Sequence, residues 1–320
     1  MKKHSAVIII ILSQFITMCT NNNNPVSEEE NITKNAIDIS LISIDSLMSY
    51  AKILSGRSSF YLNAKEKIIT SRHRDSDGND LSAEFIEMKL KQFGYTVENQ
   101  LISTTCRNVI AVHQGSETNK FFVLGAHYDS TSPVKSEAPG ADDNASGVCV
   151  VLEAARVLKN SSPKYSIVYA FWDEEELSAD GSKYFGNNAK SKGEEINLVL
   201  NVDMVAYDSD NDGTIGLYKP VMNGLDTYIN KIEQMKDFNN LGLNLKVVNR
   251  AAYSDDYILS EQGHKTLGFV EVHFDSTFTD FNKYWHTTGD TVDKFNVTFF
   301  ENNAKLIISS LAYFSETSRN

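Results

Sequence analysis

The sequence predicts an α/β fold: a single domain with a mixed, largely parallel central sheet flanked by helices on both sides. Five apolar runs of strand length, at residues 108–113, 121–126, 166–172, 198–205 and 266–273, are bounded by turn-forming residues. Helical spacing fills the gaps at 146–159, 180–192 and 224–235, and again at 297–314. Strand and helix in alternation favour parallel pairing. Acids and histidines gather where the runs end, and in such sheets that rim is where ligands bind.

In chain order, the first 19 residues read as a secretory signal, with Lys2 and Lys3 ahead of an apolar run over 6–12 and Cys19 closing the segment. The run falls short of the roughly 20 residues that cross a bilayer. Cys19 leaves two outcomes open. It is either the lipidated first residue of a bacterial lipoprotein, and so a membrane anchor, or part of a signal that is cleaved for free secretion; the chain is exported, to the periplasm or outer envelope and otherwise as a secreted protein. Met18 is bulkier than the small residue usual before a lipidated cysteine. Residues 20–36, rich in asparagine, form a flexible tether, and 37–320 form the folded domain. That leaves roughly 285 residues, enough for one large core. Over 37–99 the pattern is mainly helical and clearest at 81–93, where Leu81, Phe85, Met88 and Phe93 share a face and Gly94 ends the helix.

A formal charge of −12, with no basic cluster beyond the signal, argues against nucleic acid or an anionic membrane surface as partner. Cys106 and Cys149 are too few for a disulfide framework and read as buried thiols.

The chemistry lies in five islands. His127 and Asp129 follow the 121–126 run, and alternation along an extended chain points both the same way, so that the carboxylate can orient the imidazole. Asp142 and Asp143 precede a helix; capping explains one acid, while a carboxylate bridging two cations explains the other. Asp173, Glu174, Glu175 and Glu176 put four acids after an apolar strand, where repulsion calls for cations or solvent. One glutamate there suits metal binding and its neighbour proton transfer, in an order the residues alone do not fix. Asp203 sits in an otherwise apolar strand, and His286 in a polar turn. His273 competes with His286 but reads better as a core or substrate-side residue. Imidazole nitrogen and carboxylate oxygen are zinc ligands, and a catalytic zinc keeps one position open.

Together the islands resemble the co-catalytic zinc aminopeptidases, the family of bacterial leucyl aminopeptidase and aminopeptidase S, over roughly residues 81–314. The resemblance implies a phosphorylase/hydrolase-like zinc exopeptidase fold and two zinc ions bridged by Asp143. His127 and Asp203 would complete one site, and Glu176 and His286 the other. Glu175 would be the general base, with Glu174 as the extra acid of the run. Peptides with a free N-terminus are the implied substrates, and Glu174 or Asp255 are candidates for holding the α-amino group. The family often has Ser-Asp-His where this chain has Ser254, Asp255 and Asp256, which leaves Asp255 a supporting role. Ala251 replaces a tyrosine that some members use on the oxyanion, and Tyr253 is an offset candidate. Competing readings are a glutaminyl cyclase-type single-zinc acyltransferase and a non-catalytic binding ectodomain; neither needs the full ligand set with Glu175. Residues 208–213 imitate half a calcium loop, but Lys219 stands where the closing glutamate belongs, so a solvated acidic turn is expected.

Overall fold

The computed structural model describes residues 32, 36–272 and 280–317. The expected signal with Cys19, nearly all of the tether and His273 lie outside that range. A short hairpin, β1 (Phe60–Leu62) and β2 (Lys65–Lys67), precedes the main sheet. The sheet comprises β3 (Val97–Leu101), β4 (Arg107–His113), β5 (Glu117–His127), β6 (Tyr165–Trp172), β7 (Glu195–Asp203), β8 (Thr214–Tyr218), β9 (Asn244–Val248) and β10 (Thr266–Val270). Their spatial order is β3-β4-β6-β5-β7-β10-β8-β9. The four central strands β6, β5, β7 and β10 are parallel, while β4 and β8 run antiparallel to the neighbours that flank that core. The mixed, largely parallel sheet is therefore the expected one.

The helices are α1 (Ile44–Leu54), α2 (Asp77–Phe93), α3 (Gly147–Leu158), α4 (Glu175–Ser178), α5 (Asp180–Lys192), α6 (Asp226–Phe238), α7 (Asp255–Glu261) and α8 (Val297–Phe314). Ser76 caps α2 by accepting the Gly78 N–H, and Gly94 ends it at φ 99°, a left-handed conformation that favours glycine. Asn296 caps α8 through the Phe299 N–H. Alternation along β5 sends Phe122 and Leu124 into a large core shared with Leu47, Phe85, Leu152 and Ile307 of α1, α2, α3 and α8. Val123 points the other way, into a smaller core with Trp172, Phe185 of α5 and Leu259 of α7. Helices thus cover both faces. Gly125 lies directly under the Trp172 ring, leaving no room for a side chain.

Several elements depart from expectation. The 37–99 stretch is not helical throughout, since the hairpin and β3 interrupt it. Neither β8, β9 nor α7 was expected. The edge strands β3 and β9 are only five residues long and half-buried or exposed at nearly every position, so they leave little periodic signal. Among the described residues, no helix is long and apolar enough to cross a membrane.

Candidate active site

Parallel strands end on one rim, and the register fixes which residues meet there. His127, the last residue of β5, pairs with Trp172 at the end of β6, and Asp203 at the end of β7 pairs with Val270 at the end of β10. His127 Nε2 stands 3.4 Å from Asp143 Oδ1 and 3.4 Å from Asp203 Oδ1. On the other side, His286 Nε2 lies 3.2 Å from Asp143 Oδ2 and 2.7 Å from Glu176 Oε2. Each oxygen of Asp143 therefore faces a different histidine. In each trio one donor atom per residue lies within 4.8 Å of the others.

Several atoms of these side chains lack hydrogen-bond partners in the protein. Both ring nitrogens of His127, Asp143 Oδ2, Glu176 Oε1 and Asp203 Oδ1 are buried without a well-aligned bond. Such groups are costly to bury unless something satisfies them, and a cation at each trio would do so. Nitrogen and carboxylate donors in threes match a zinc site with an open position. The charges are tightly interlocked. Burial, then the nearby Asp143, pushes Glu176 up to about 8. Burial works against protonation of His286, yet Asp143 and Glu176 hold it up at about 10.

Glu175 opens α4, lines the same cavity and places Oε2 4.0 Å from His127 Nε2. Burial drives its carboxyl well above the usual range, helped by Asp255, Asp203 and Glu176 against the pull of His127. Asp129 does more than orient the imidazole. Its Oδ1 sits 3.4 Å from His127 Nδ1, and its two oxygens accept the N–H groups of Glu175 at 3.1 Å and Glu176 at 3.2 Å. One carboxylate thereby ties β5 to the glutamate pair.

Two expectations change. Glu174 is buried, accepts a hydrogen bond from Thr105 at 2.9 Å and pairs with Arg74 at 3.2 Å, so it does not line the cavity and cannot reach an amino group there. Asp255 is fully buried, with no hydrogen-bond partner for either carboxylate oxygen, and burial lifts it to about 7. It too is absent from the cavity wall, which fits support of the site rather than contact with substrate. Asp256 is also buried and accepts the Ala252 N–H, while Tyr253 stands exposed on the rim at φ 64°.

Beneath the trios is a layer that the motifs do not announce. Asp290 accepts the N–H groups of Asp142 at 3.1 Å and Asp143 at 3.0 Å, and Asn282 donates to both Asp142 and Asp290. Asp142 accepts the Ala206 N–H, which makes it the anchor of the turn and Asp143 the acid presented to the site. Glu271 receives the N–H groups of Tyr207 and Asn282. Arg72, fully buried, donates to the carbonyls of Leu54, Tyr128, Pro139 and Gly140, clamping the segment after His127 to the loop before Asp142. The Trp285 ring stacks on His286 with centroids 3.7 Å apart. Glu174, Met204 and His286 all hold positive φ, between 54° and 57°, next to or within the ligand set. Such conformations are costly for residues with side chains and persist where the surroundings impose them.

Asp208, Asp210 and Asp212 gather with Asp280, but Asp208 already accepts the Asn211 and Gly213 N–H groups, as in a self-closed acidic turn. Lys219 pairs with Asp226 instead. Cys106 and Cys149 are buried free thiols, as expected.

A parallel α/β sheet with paired histidine–carboxylate trios on its carboxyl rim is the architecture of a metal-dependent hydrolase. The profile of peptidase family M28 matches residues 108–311, and the chain belongs to that family. A curated relative from Escherichia coli, the uncharacterised protein YfbL, is 29% identical over 250 residues, covering 69% of this chain and 76% of YfbL. A probable zinc metalloprotease of Pyrenophora teres is 34% identical over 122 residues, 37% of this chain, and the chain spans only 26% of that relative. Among solved structures, the Legionella pneumophila aminopeptidase LapA superposes with a TM-score of 0.73 at 19% identity, over 90% of this chain and 78% of LapA. Porphyromonas gingivalis glutaminyl cyclase gives 0.71 at 19% identity, over 86% and 99%. At such identities these two structures speak to the fold alone.

Proposed function

We propose that the chain is a zinc-dependent aminopeptidase carrying two zinc ions, one held by His127, Asp143 and Asp203, the other by Asp143, Glu176 and His286. The observation that carries the reading is the placement of Asp143, each of whose oxygens faces a different histidine. A single-zinc acyltransferase would leave one trio of buried donors without a partner, and a binding ectodomain would leave both.

Zinc at these trios would supply a Lewis acid for the peptide carbonyl and lower the pKa of a water molecule. Glu175 is the general base: it lies on the cavity wall near His127, takes a proton from the attacking water and returns it to the leaving nitrogen. Asp129 fixes the start of that glutamate pair through its backbone. With Asp143, Glu176 and Asp203 bound to zinc, Glu175 is the carboxylate left on the cavity wall to face a free α-ammonium group. The M28 family match and the name of the Pyrenophora relative support a zinc-dependent peptidase. The basic start and apolar run of residues 1–19 support export to the cell envelope, and the mass of the mature N-terminus would tell a lipidated Cys19 from a cleaved signal.

Metal analysis combined with a peptide panel tests the proposal. Wild type should cleave free-amino peptides but not their N-acetylated forms, and lose activity to a chelator. Glu175→Gln should keep its zinc while turnover falls by about 10²–10⁴-fold. Undiminished turnover in that variant would reject Glu175 as the base.

A further inference from the structure

We propose that Arg74 fixes the register of the run Glu174, Glu175 and Glu176, capturing the first glutamate outside the cavity so that the second and third face the metal site. The inference rests on the proposed zinc reading for the roles of Glu175 and Glu176. Three successive glutamates follow Asp173 just beyond β6, and each carries the group that a base or a zinc ligand needs. The structure separates them. Glu175 and Glu176 line the cavity, whereas the Glu174 carboxylate is buried elsewhere, with Arg74 Nη1 3.2 Å from Oε2 and the Thr105 hydroxyl donating to Oε1 at 2.9 Å. Arg74 Nη2 donates to the Thr105 oxygen at 3.3 Å, which closes a ring of three side chains from three segments.

The backbone makes the direction of this side chain matter. Glu174 is left-handed at φ 57° and ψ 33°; its N–H donates to Asp173 Oδ1 at 2.9 Å and its carbonyl accepts the Ala179 N–H at 2.9 Å, so α4 starts from it as from a pivot. Asp129 holds the next two N–H groups, which fixes the peptide planes but leaves the pivot's side chain to other partners. A buried carboxylate that loses its cation is costly to keep in place. The cavity is one residue away, and a released Glu174 would turn toward its metals and displace Glu175 or Glu176. Arg74 stands two residues after Arg72, so one short segment braces both the loop before Asp142 and the glutamate run.

The test uses the full zinc-loaded protein with Arg74→Met and Glu174→Gln, made singly and together, and Arg74→Lys as the conservative variant. Two quantities are read well below each variant's melting temperature: kcat and KM on leucine p-nitroanilide, and zinc affinity by competition with a chromophoric chelator. Arg74→Met should lower kcat by about tenfold or more with KM little changed, and weaken the more loosely held zinc by a similar factor. Glu174→Gln removes the charge that would stray, so alone it should stay near wild type, and added to Arg74→Met it should restore most of each loss. Arg74→Lys should keep most of both. A packing defect left by the missing arginine would persist in the double variant. The Arg74 side chain is 28% exposed, so its loss should not prevent folding; Arg74→Gln serves in the same cycle if the methionine variant does not fold. A loss in either quantity that Glu174→Gln relieves supports the proposal. Arg74→Met equal to wild type in both, or losses that remain in the double variant, overturn it. A wild type that binds zinc but cleaves no free-amino substrate would defeat the aminopeptidase reading, and the zinc affinities would still decide this one; cleavage and zinc binding indifferent to Arg74 would do the reverse.

Discussion

Replacing Arg72 by methionine should destabilise the protein by about 3–5 kcal/mol, because buried carbonyl acceptors lose a charged donor. The guanidinium is fully buried and donates to the carbonyl oxygens of Tyr128 and Leu54 at 2.8 Å each, Pro139 at 2.5 Å and Gly140 at 2.7 Å. Methionine fills similar space but donates nothing. Each buried acceptor left unpaired costs about 1–3 kcal/mol. Against that loss stands the relief of no longer burying a charge whose contacts are carbonyls rather than a carboxylate, worth several kcal/mol. The acceptors win because three of them, the carbonyls of Leu54, Tyr128 and Pro139, are left bare while Gly140 keeps the Ala145 N–H, and because Asp290, Asp143 and Asp129 lie near enough to favour the cation that burial opposes. Urea titration followed by circular dichroism, with metal chelated in both proteins to remove its linkage to folding, measures the difference. At about 2 °C per kcal/mol for a domain of this size, the melting temperature should fall by about 6–10 °C. Arg72→Lys should recover less than half, since an ammonium group cannot reproduce the planar fork. A methionine variant within about 1 kcal/mol of wild type would refute the reasoning.

Further predictions concern the ligands and the sheet beneath them. Asp143→Ala should strip zinc from both trios, whereas Asp203→Ala should leave about one ion per chain; equal metal content in the two variants would contradict a shared carboxylate. Gly125→Val should cost about 1–3 kcal/mol by forcing a side chain against the Trp172 ring, measured by the same urea titration.

The parts of the molecule most legible in the sequence are those whose burial is two-sided. The strands β5, β6 and β7 are continuous apolar runs because both of their faces are covered, and the helices α5 and α8 begin and end where spacing and caps place them. The ligand candidates were visible for the same reason, as acids and histidines interrupting or ending such runs. Glu271 carried that signal too, an acid directly after the apolar β10, as did Asp290, four residues beyond His286. Neither stood out because their partners are backbone N–H groups, which no side-chain motif records. Arg72 left even less trace, since its role depends on carbonyls brought together from three separate segments. The roles of Glu174 and Glu175 turn on one residue of phase. The left-handed Glu174 swings its own carboxylate toward Arg74 and leaves Glu175 facing the cavity.

The late segment that brings His286 also brings Asn282 and Asp290, the groups that hold the peptide N–H of Asp143 or the acid beside it. During synthesis His127, Asp143, Glu176 and Asp203 leave the ribosome well before the residues that complete and brace their arrangement. A hydrolase organised in this way would stay inert as a nascent chain until residues 282–290 had been added.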